Sequence, residues 1–192
     1  MKNTILVIMA GGKSSRMQQD KALLPFGGYN SLAEYQYKRF KPLFGKVYIS
    51  AKTDKFDFAV DIIEDCYSDS SPLVGLVSIF KQLKDIDGVI VVSVDAPFIN
   101  KKILNTLLDR AKKEQKSVVA ESLNGIEPLC AFYRKEDVLC VAEAMIEKQK
   151  HRLQRLLASI QYQKIFFKET DCFMNLNYPS DYDCAKRLSS NI

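Results

Sequence analysis

Ile5-Leu6-Val7-Ile8-Met9-Ala10-Gly11-Gly12-Lys13-Ser14-Ser15-Arg16 is the stretch that decides the fold. Ile5–Met9 is a short, β-branched-rich apolar run that ends at two glycines, as a strand buried on both faces in a parallel sheet does. Outward from it, strand-like and helix-like segments alternate. Ser31–Phe44 carries Leu32, Tyr35, Phe40, Leu43 and Phe44 at roughly helical spacing, with Ser31 and Glu34 as a capping box and Gly45 as the stop. Lys46–Ala51 and Val60–Ile63 read as strands. Pro72–Leu83 reads as a helix with Leu73, Leu76, Val77 and Phe80 on one face. Val89–Val94, opened by Gly88, is the most strand-like run in the chain. Lys101–Lys113 follows as a helix with Asn100 as its N-cap.

The second half continues in shorter pieces. Val118–Glu121 and Leu129–Tyr133 are expected strands, Lys135–Glu147 and Leu153–Ile160 helices, and Ile165–Phe167 and Phe173–Leu176 short strands. Asp181–Leu188, capped by Ser180, closes the chain. Strand–helix alternation through residue 113 implies a three-layer α/β sheet, to which the later elements are added. No linker, repeat or low-complexity segment interrupts it, so one domain is expected.

Composition narrows the function classes. Of 192 residues, 47% are apolar and 27% charged, which is the make-up of an ordinary globular protein. The apolar runs are far shorter than the roughly 20 residues of a membrane helix. No cleavage-like segment follows Ile5–Met9, so a cytoplasmic protein is expected. The net charge, 28 basic against 23 acidic residues or +5, suits a small anionic ligand and is too diffuse to argue for nucleic acid. Five cysteines without a C-x-x-C pair argue against a disulfide framework, and a single histidine, His151, argues against zinc.

In such a sheet, ligands sit outside the carboxyl ends of the strands. Three places qualify: Ala10–Lys21, Asp65–Gly75 and Asp95–Phe98. In the first, Gly11 and Gly12 allow a sharp turn and a close backbone approach, and successive N–H groups there can cradle phosphate oxygens. Arg16 and Lys21 add positive charge. Gly12-Lys13-Ser14 imitates the end of a P-loop, but the glycine that motif needs five positions earlier is Val7, and G-x-G-x-x-G is absent. A solvated glycine turn with surface charges is the plainer alternative.

In the second place, Asp65 suits a ribose, a base or a metal, and Pro72-Leu73-Val74-Gly75 reads as a rigid loop entering a helix. In the third, Asp95 directly after a buried strand suits Mg²⁺, which prefers oxygen ligands and often bridges to phosphates. Asp95 could equally cap the next turn. Lys148, Lys150, His151, Arg152 and Arg155 form a basic stretch that suits either a second phosphorylated substrate or a solvated helix face. Asn175 and Asn177 offer amides for a polar heterocycle, or for an Asx-turn.

Together these motifs resemble a known family. Ala10-Gly11-Gly12-x-Ser14-x-Arg16-Met17-x-x-Asp20-Lys21-Ala22-Leu23-Leu24-Pro25 resembles the signature of nucleotidyltransferases with a Rossmann-like core. Pro72-Leu73-x-Gly75, Asp95-x-Pro97-Phe98 and Asn175-x-Asn177-x-Pro179 resemble, in order, the later motifs of the molybdenum cofactor guanylyltransferase family. The resemblance runs from residue 5 to about residue 188. It implies a three-layer α/β/α Rossmann-like nucleotidyltransferase fold with a mostly parallel sheet. Residues 1–113 would form the nucleotide-binding core and 114–192 the substrate-side elements of the same domain.

The implied activity is transfer of GMP from GTP to molybdopterin-bound molybdenum, with release of pyrophosphate. The positions matching the family's GTP contacts are Met9, Ala10, Gly11, Lys21, Asp65 and Asp95; Gly12 joins them as part of the cradle. Asp95 matches the Mg²⁺ ligand. Arg16, Lys21 and Asp95 are the expected catalytic residues, while Arg152, Asn175 and Asn177 match positions serving the pterin substrate. Proteins that deliver the cofactor and accept the product are implied partners; no nucleic acid or membrane is.

Three departures stand out: Gln18 replaces a family glycine, Met9 a leucine, and Ser50 an asparagine thought to contact the base. A cytidylyl counterpart, a sugar-phosphate nucleotidyltransferase and a non-catalytic nucleotide-binding adaptor are the alternatives.

Overall fold

The computed structural model describes residues 4–11 and 19–189. Gly12 and Arg16, both expected in the site, lie outside the described residues. The opening run is a strand, β1 (Ile5–Met9), and its side chains serve two cores. Leu6, Ile8 and Ala10 face one side of the sheet; Val7 and Met9 face the other. That double burial explains why the run is continuously apolar rather than alternating.

After β1 come α1 (Leu32–Phe40), β2 (Lys46–Ala51), β3 (Asp61–Glu64), α2 (Pro72–Gln82), β4 (Gly88–Ser93), α3 (Lys101–Glu114), β5 (Val118–Ser122), β6 (Gly125–Arg134), α4 (Lys135–Glu147), α5 (Leu153–Leu157), β7 (Gln163–Phe166) and α6 (Pro179–Ser189). The seven strands form one sheet in the order β3-β2-β1-β4-β6-β5-β7. Only β6 runs against its neighbours, β4 and β5; the other pairings are parallel. Helices α1, α3 and α6 contribute to the core on one face. Helices α2, α4 and α5 cover the other. The three layers expected from the alternation are present.

Strand order reverses at β1. The chain steps outward from β1 to β2 and β3, then returns to place β4 on the other side of β1. At such a switch point the connections leave in opposite directions and open a crevice. Met9 and Asp95 stand at its two walls, close enough that the Val94 N–H donates to the Met9 carbonyl at 3.1 Å.

Several boundaries differ from the sequence reading, each for a local reason. Helix α1 stops at Phe40, and a turn brings Phe44 edge-on to Phe40 at 6.3 Å. Ser31 caps Glu34 N–H as expected, but the Glu34 carboxylate reaches Asn30 N–H. Pro72–Gly75 is not a loop. It is the first turn of α2, with Pro72 at the first helical position and Ser71 as cap. Helix α5 ends at Leu157, short of Ile160.

Phe173–Leu176 is not a strand. A 3-10 turn (Asp171–Phe173) leads into an extended segment that crosses the strand tips instead of extending a sheet edge. Buried Phe173 and Leu176 anchor it, and Leu176 N–H donates to the Asp95 carbonyl at 2.9 Å. Ser180 lies inside α6, not before it. The Asp181 carboxylate caps that helix by accepting from the Asn177 and Tyr178 N–H groups.

Candidate active site

Backbone close approach builds the wall over β1, β2 and β3. Ala10 N–H donates to the Ser50 carbonyl at 2.8 Å, which ties the start of the first loop to the end of β2. Asp65, directly after β3, donates its N–H to the Ala51 carbonyl at 3.1 Å. The first turn of α2 then presses onto all three tips. A Cβ on Gly75 would lie 2.7 Å from Met9 Cε, the movable end of a flexible side chain, and 3.1 Å from Ser50 Oγ, so the helix turn packs closely against these tips. Ser70 Oγ donates to the half-buried Asp65 carboxylate at 3.1 Å. Burial nevertheless pushes the Asp65 carboxyl above the usual range, because a charged carboxylate loses water there.

Lys21 connects this wall to the rest of the site. It opens a 3-10 turn (Lys21–Leu23) that Asp20 caps by accepting from Ala22 N–H. Its ammonium lies 3.3 Å from Asp95 Oδ2 and 3.2 Å from Asn177 Oδ1. Both ends of the Lys21–Asp95 pair are mostly shielded, with side chains 14% and 22% exposed. Three motifs up to 156 residues apart therefore meet at one ammonium group. The Ser93 hydroxyl donates to Asp95 Oδ1 at 2.5 Å. Asp95 does not cap the following turn; Ala96 N–H bonds back to the Ser93 carbonyl.

The turn carrying Asp95 is gripped from below by α1. Fully buried Gln36 donates from Nε2 to the carbonyls of Ser93 (3.2 Å) and Ala96 (3.1 Å). Arg39 donates to the carbonyls of Pro97 and Ile99. Its guanidinium is pulled below its ordinary pKa by burial, and these carbonyls are its partners.

A cleft of about 380 Å³ opens beside Asp95, on the β4–β6 side. Asp95, Glu127, His151, Arg152, Asn175 and Asn177 are among the polar residues that line it. The basic stretch does not act as one unit. His151 and Arg152 face this cleft, whereas Lys148, Lys150 and Arg155 line a separate depression with Cys140 on the outer surface of α4 and α5. His151 reaches toward Asp69, with 3.8 Å between Nε2 and Oδ2.

The tips of β1, β3 and β4 and the Asn175–Asn177 segment thus converge. Glu127, Gln36, Arg39 and Lys55 were not anticipated. Lys55 donates to the Ala10 carbonyl at 3.3 Å and pairs with the Asp20 carboxylate, so it joins the two stems of the first loop. Pro128 was the available signal for Glu127: a proline within a strand-like run marks an irregularity in pairing. Among the described residues no three histidine, cysteine or carboxylate groups cluster as a metal site. Asp95 offers one carboxylate at the cleft, which fits an ion whose other ligands are phosphate oxygens.

A cation, a carboxylate and close backbone at the switch point of a parallel sheet suit the handling of a phosphorylated nucleotide. Comparison with known proteins agrees. The chain is 34% identical over 182 residues to a molybdenum cofactor guanylyltransferase of Campylobacter jejuni (strain 81116), covering 94% of each chain. It is 33% identical to the Helicobacter pylori (strain P12) protein of the same name, covering 98% of this chain and 96% of that one. Its fold is similar to that of molybdopterin-guanine dinucleotide biosynthesis protein A from Archaeoglobus fulgidus, with a TM-score of 0.86 at 18% identity over 98% of this chain and all of the other. Residues 6–165 match the model of the MobA-like NTP transferase domain, and the chain belongs to that family.

Proposed function

We propose that this chain transfers GMP from GTP to molybdopterin-bound molybdenum, forming the guanine dinucleotide form of the cofactor and releasing pyrophosphate. The meeting of Lys21, Asp95 and Asn177 carries this reading, because it joins the nucleotide end of the site to the acceptor cleft. GTP would lie over β1, β2 and β3, against Met9, Ala10 and Gly11, with Asp65 toward its nucleoside. Gly12 and Arg16 belong to the same phosphate-binding loop. The acceptor would lie in the cleft, with Arg152, Asn175 and Asn177 around it. In this division residues 1–113 hold the nucleotide and 114–192 the acceptor, within one domain.

The acceptor's terminal phosphate attacks the α-phosphorus of GTP in line. Such a reaction requires positioning and charge stabilisation, and no protein nucleophile. Lys21 and Arg16 offset the charge that gathers on the triphosphate. Asp95, oriented by Ser93 and by the Gln36-held turn, would hold Mg²⁺; when bound, the ion neutralises phosphate charge and polarises the reacting group. Asn177 keeps the Lys21 ammonium aimed at the junction of the two substrates. A cytoplasmic setting, where thiols stay reduced, suits the five free cysteines. Among the described residues no helix is long and apolar enough to cross a membrane.

Pyrophosphate release tests the assignment. With Mg²⁺ and Mo-molybdopterin, GTP should support release and CTP should not. Equal rates with the two nucleotides, or release only with a sugar phosphate as acceptor, would overturn it.

A further inference from the structure

Glu127 sits where β6 breaks register. Val119 of β5 stands opposite Ala131, but the next residue, Ala120, stands opposite Glu127. Pro128, Leu129 and Cys130 are the surplus. Bulges re-aim side chains and are common beside functional sites. This one is pinned: the hydroxyl of fully buried Tyr133 donates to the Pro128 carbonyl at 2.9 Å. Because β6 is antiparallel to β4, its amino-terminal end emerges at the same edge of the sheet as Asp95. Glu127 therefore reaches the acceptor cleft.

The carboxylate is also oriented. Ser122, itself buried, donates to Glu127 Oε1 at 2.7 Å and accepts from Asn124 N–H at 3.0 Å, which fixes the direction of its proton. Asp95, the other carboxylate lining the cleft, is engaged by Lys21 and Ser93. Glu127 makes no ion pair with a cation among the described residues. A half-buried, oriented carboxylate with no cation is matched by a ligand that offers N–H donors. Two adjacent donors match it best, since a carboxylate presents two acceptors side by side.

We propose that Glu127 reads the 2-amino/N3–H edge of the pterin ring, and so selects a 2-amino-4-oxo pteridine as acceptor. This rests on the reading of molybdopterin as the acceptor. Arg152 and His151, which carry positive charge or N–H donors, suit the phosphate-bearing end of the same molecule. Glu127 is a specificity-determining residue and takes no part in bond making.

Fluorescence titration tests this on the whole protein, with 6-hydroxymethylpterin phosphate and the corresponding lumazine, whose 2-oxo group replaces the amino donor. The wild type should bind the pterin at least about tenfold more tightly than the lumazine, as a two-point contact discriminates. In Glu127→Gln that preference should collapse while GTP affinity stays at the wild-type value, which also shows that the variant is folded. A variant that keeps the preference, or a wild type without one, would overturn the role of Glu127. So would a loss confined to GTP affinity. GMP transfer by the wild type to Mo-molybdopterin, measured alongside, tests the underlying reading separately: transfer without pterin preference leaves that reading standing and removes Glu127 from it.

Discussion

The two walls of the crevice are built by different means. Over β1, β2 and β3, backbone meets backbone, Ala10 on Ser50 and Asp65 on Ala51, with the first turn of α2 set beside them at Gly75. Over β4 and β6, side chains from residues 36, 95, 127, 152 and 177 are assembled across the fold. The first wall is made of main-chain groups at strand tips and a helix terminus, which most substitutions leave in place. The second is made of side chains, each of which one substitution can remove. Binding of the nucleotide and placement of the acceptor should therefore be separable by mutation.

Asp95 stands at the seam, so its loss should have the largest effect. Asp95→Asn keeps the shape and removes the charge. Turnover measured as pyrophosphate release should fall at least about a hundredfold, the usual cost of one electrostatic stabiliser. A near-normal rate would remove Asp95 from the reaction and, with it, the seam itself.

Gln36 comes next, and it separates stability from activity. Its Nε2 grips the Asp95 turn, but its buried Oε1 has no partner among the described residues. Gln36→Met removes that orphan oxygen along with the donor. The two changes oppose each other, so denaturant unfolding should show a loss of about 1 kcal/mol or less. Turnover should nevertheless fall roughly tenfold, because small displacements of a reacting group are costly. A large stability loss with normal turnover would make Gln36 a packing residue only.

What was legible in the sequence follows from how far apart the interacting residues lie in the chain, whichever wall they serve. The β1 loop, Asp65 and Asp95 are local motifs at the ends of recognisable strands, Pro72–Gly75 is one at the start of a recognisable helix, and the three-layer fold followed from the alternation of such elements. Gln36 reads as a polar residue on a helix, and Lys55 as one charge in a loop. Their partners lie 57 and 45 residues away, and no local pattern encodes that separation. Glu127 was hidden because the bulge shifts it by more than a strand's period of two. The short expected strand at Phe173–Leu176 erred for a related reason: its apolar residues anchor a crossing segment, and apolar content alone does not tell an anchor from a ladder.

Arg152 offers a smaller, sharper test of the cleft. It is exposed at the mouth, so solvent weakens its hold on a phosphate. Arg152→Ala should raise KM for the acceptor by roughly fivefold, less than the usual cost of a contact to a charged group because solvent screens it. KM for GTP should stay unchanged. Lys148→Ala and Lys150→Ala, on the separate depression, should leave both constants unchanged in steady-state assays. If those lysines matter as much as Arg152, the basic stretch works as one surface and the division drawn by α5 fails.

Asp65 should give the smallest effect on folding, and it tests the first wall. Burial raises its carboxyl pKa in the folded protein, so the native state binds a proton more tightly than the unfolded chain does. The unfavourable contribution is absent below the ordinary aspartate range. It grows as pH rises through that range to the raised folded value, and is constant above it. Asp65→Asn removes the penalty and keeps a group that can accept from Ser70. Thermal unfolding followed across the acidic range should show the variant slightly more stable at neutral pH, with a flatter pH dependence than the wild type. The same variant should bind GTP more weakly, because a neutral amide replaces the carboxylate facing the nucleoside. A variant that is both less stable and unchanged in GTP affinity would mean that Asp65 holds the wall together and does not meet the ligand.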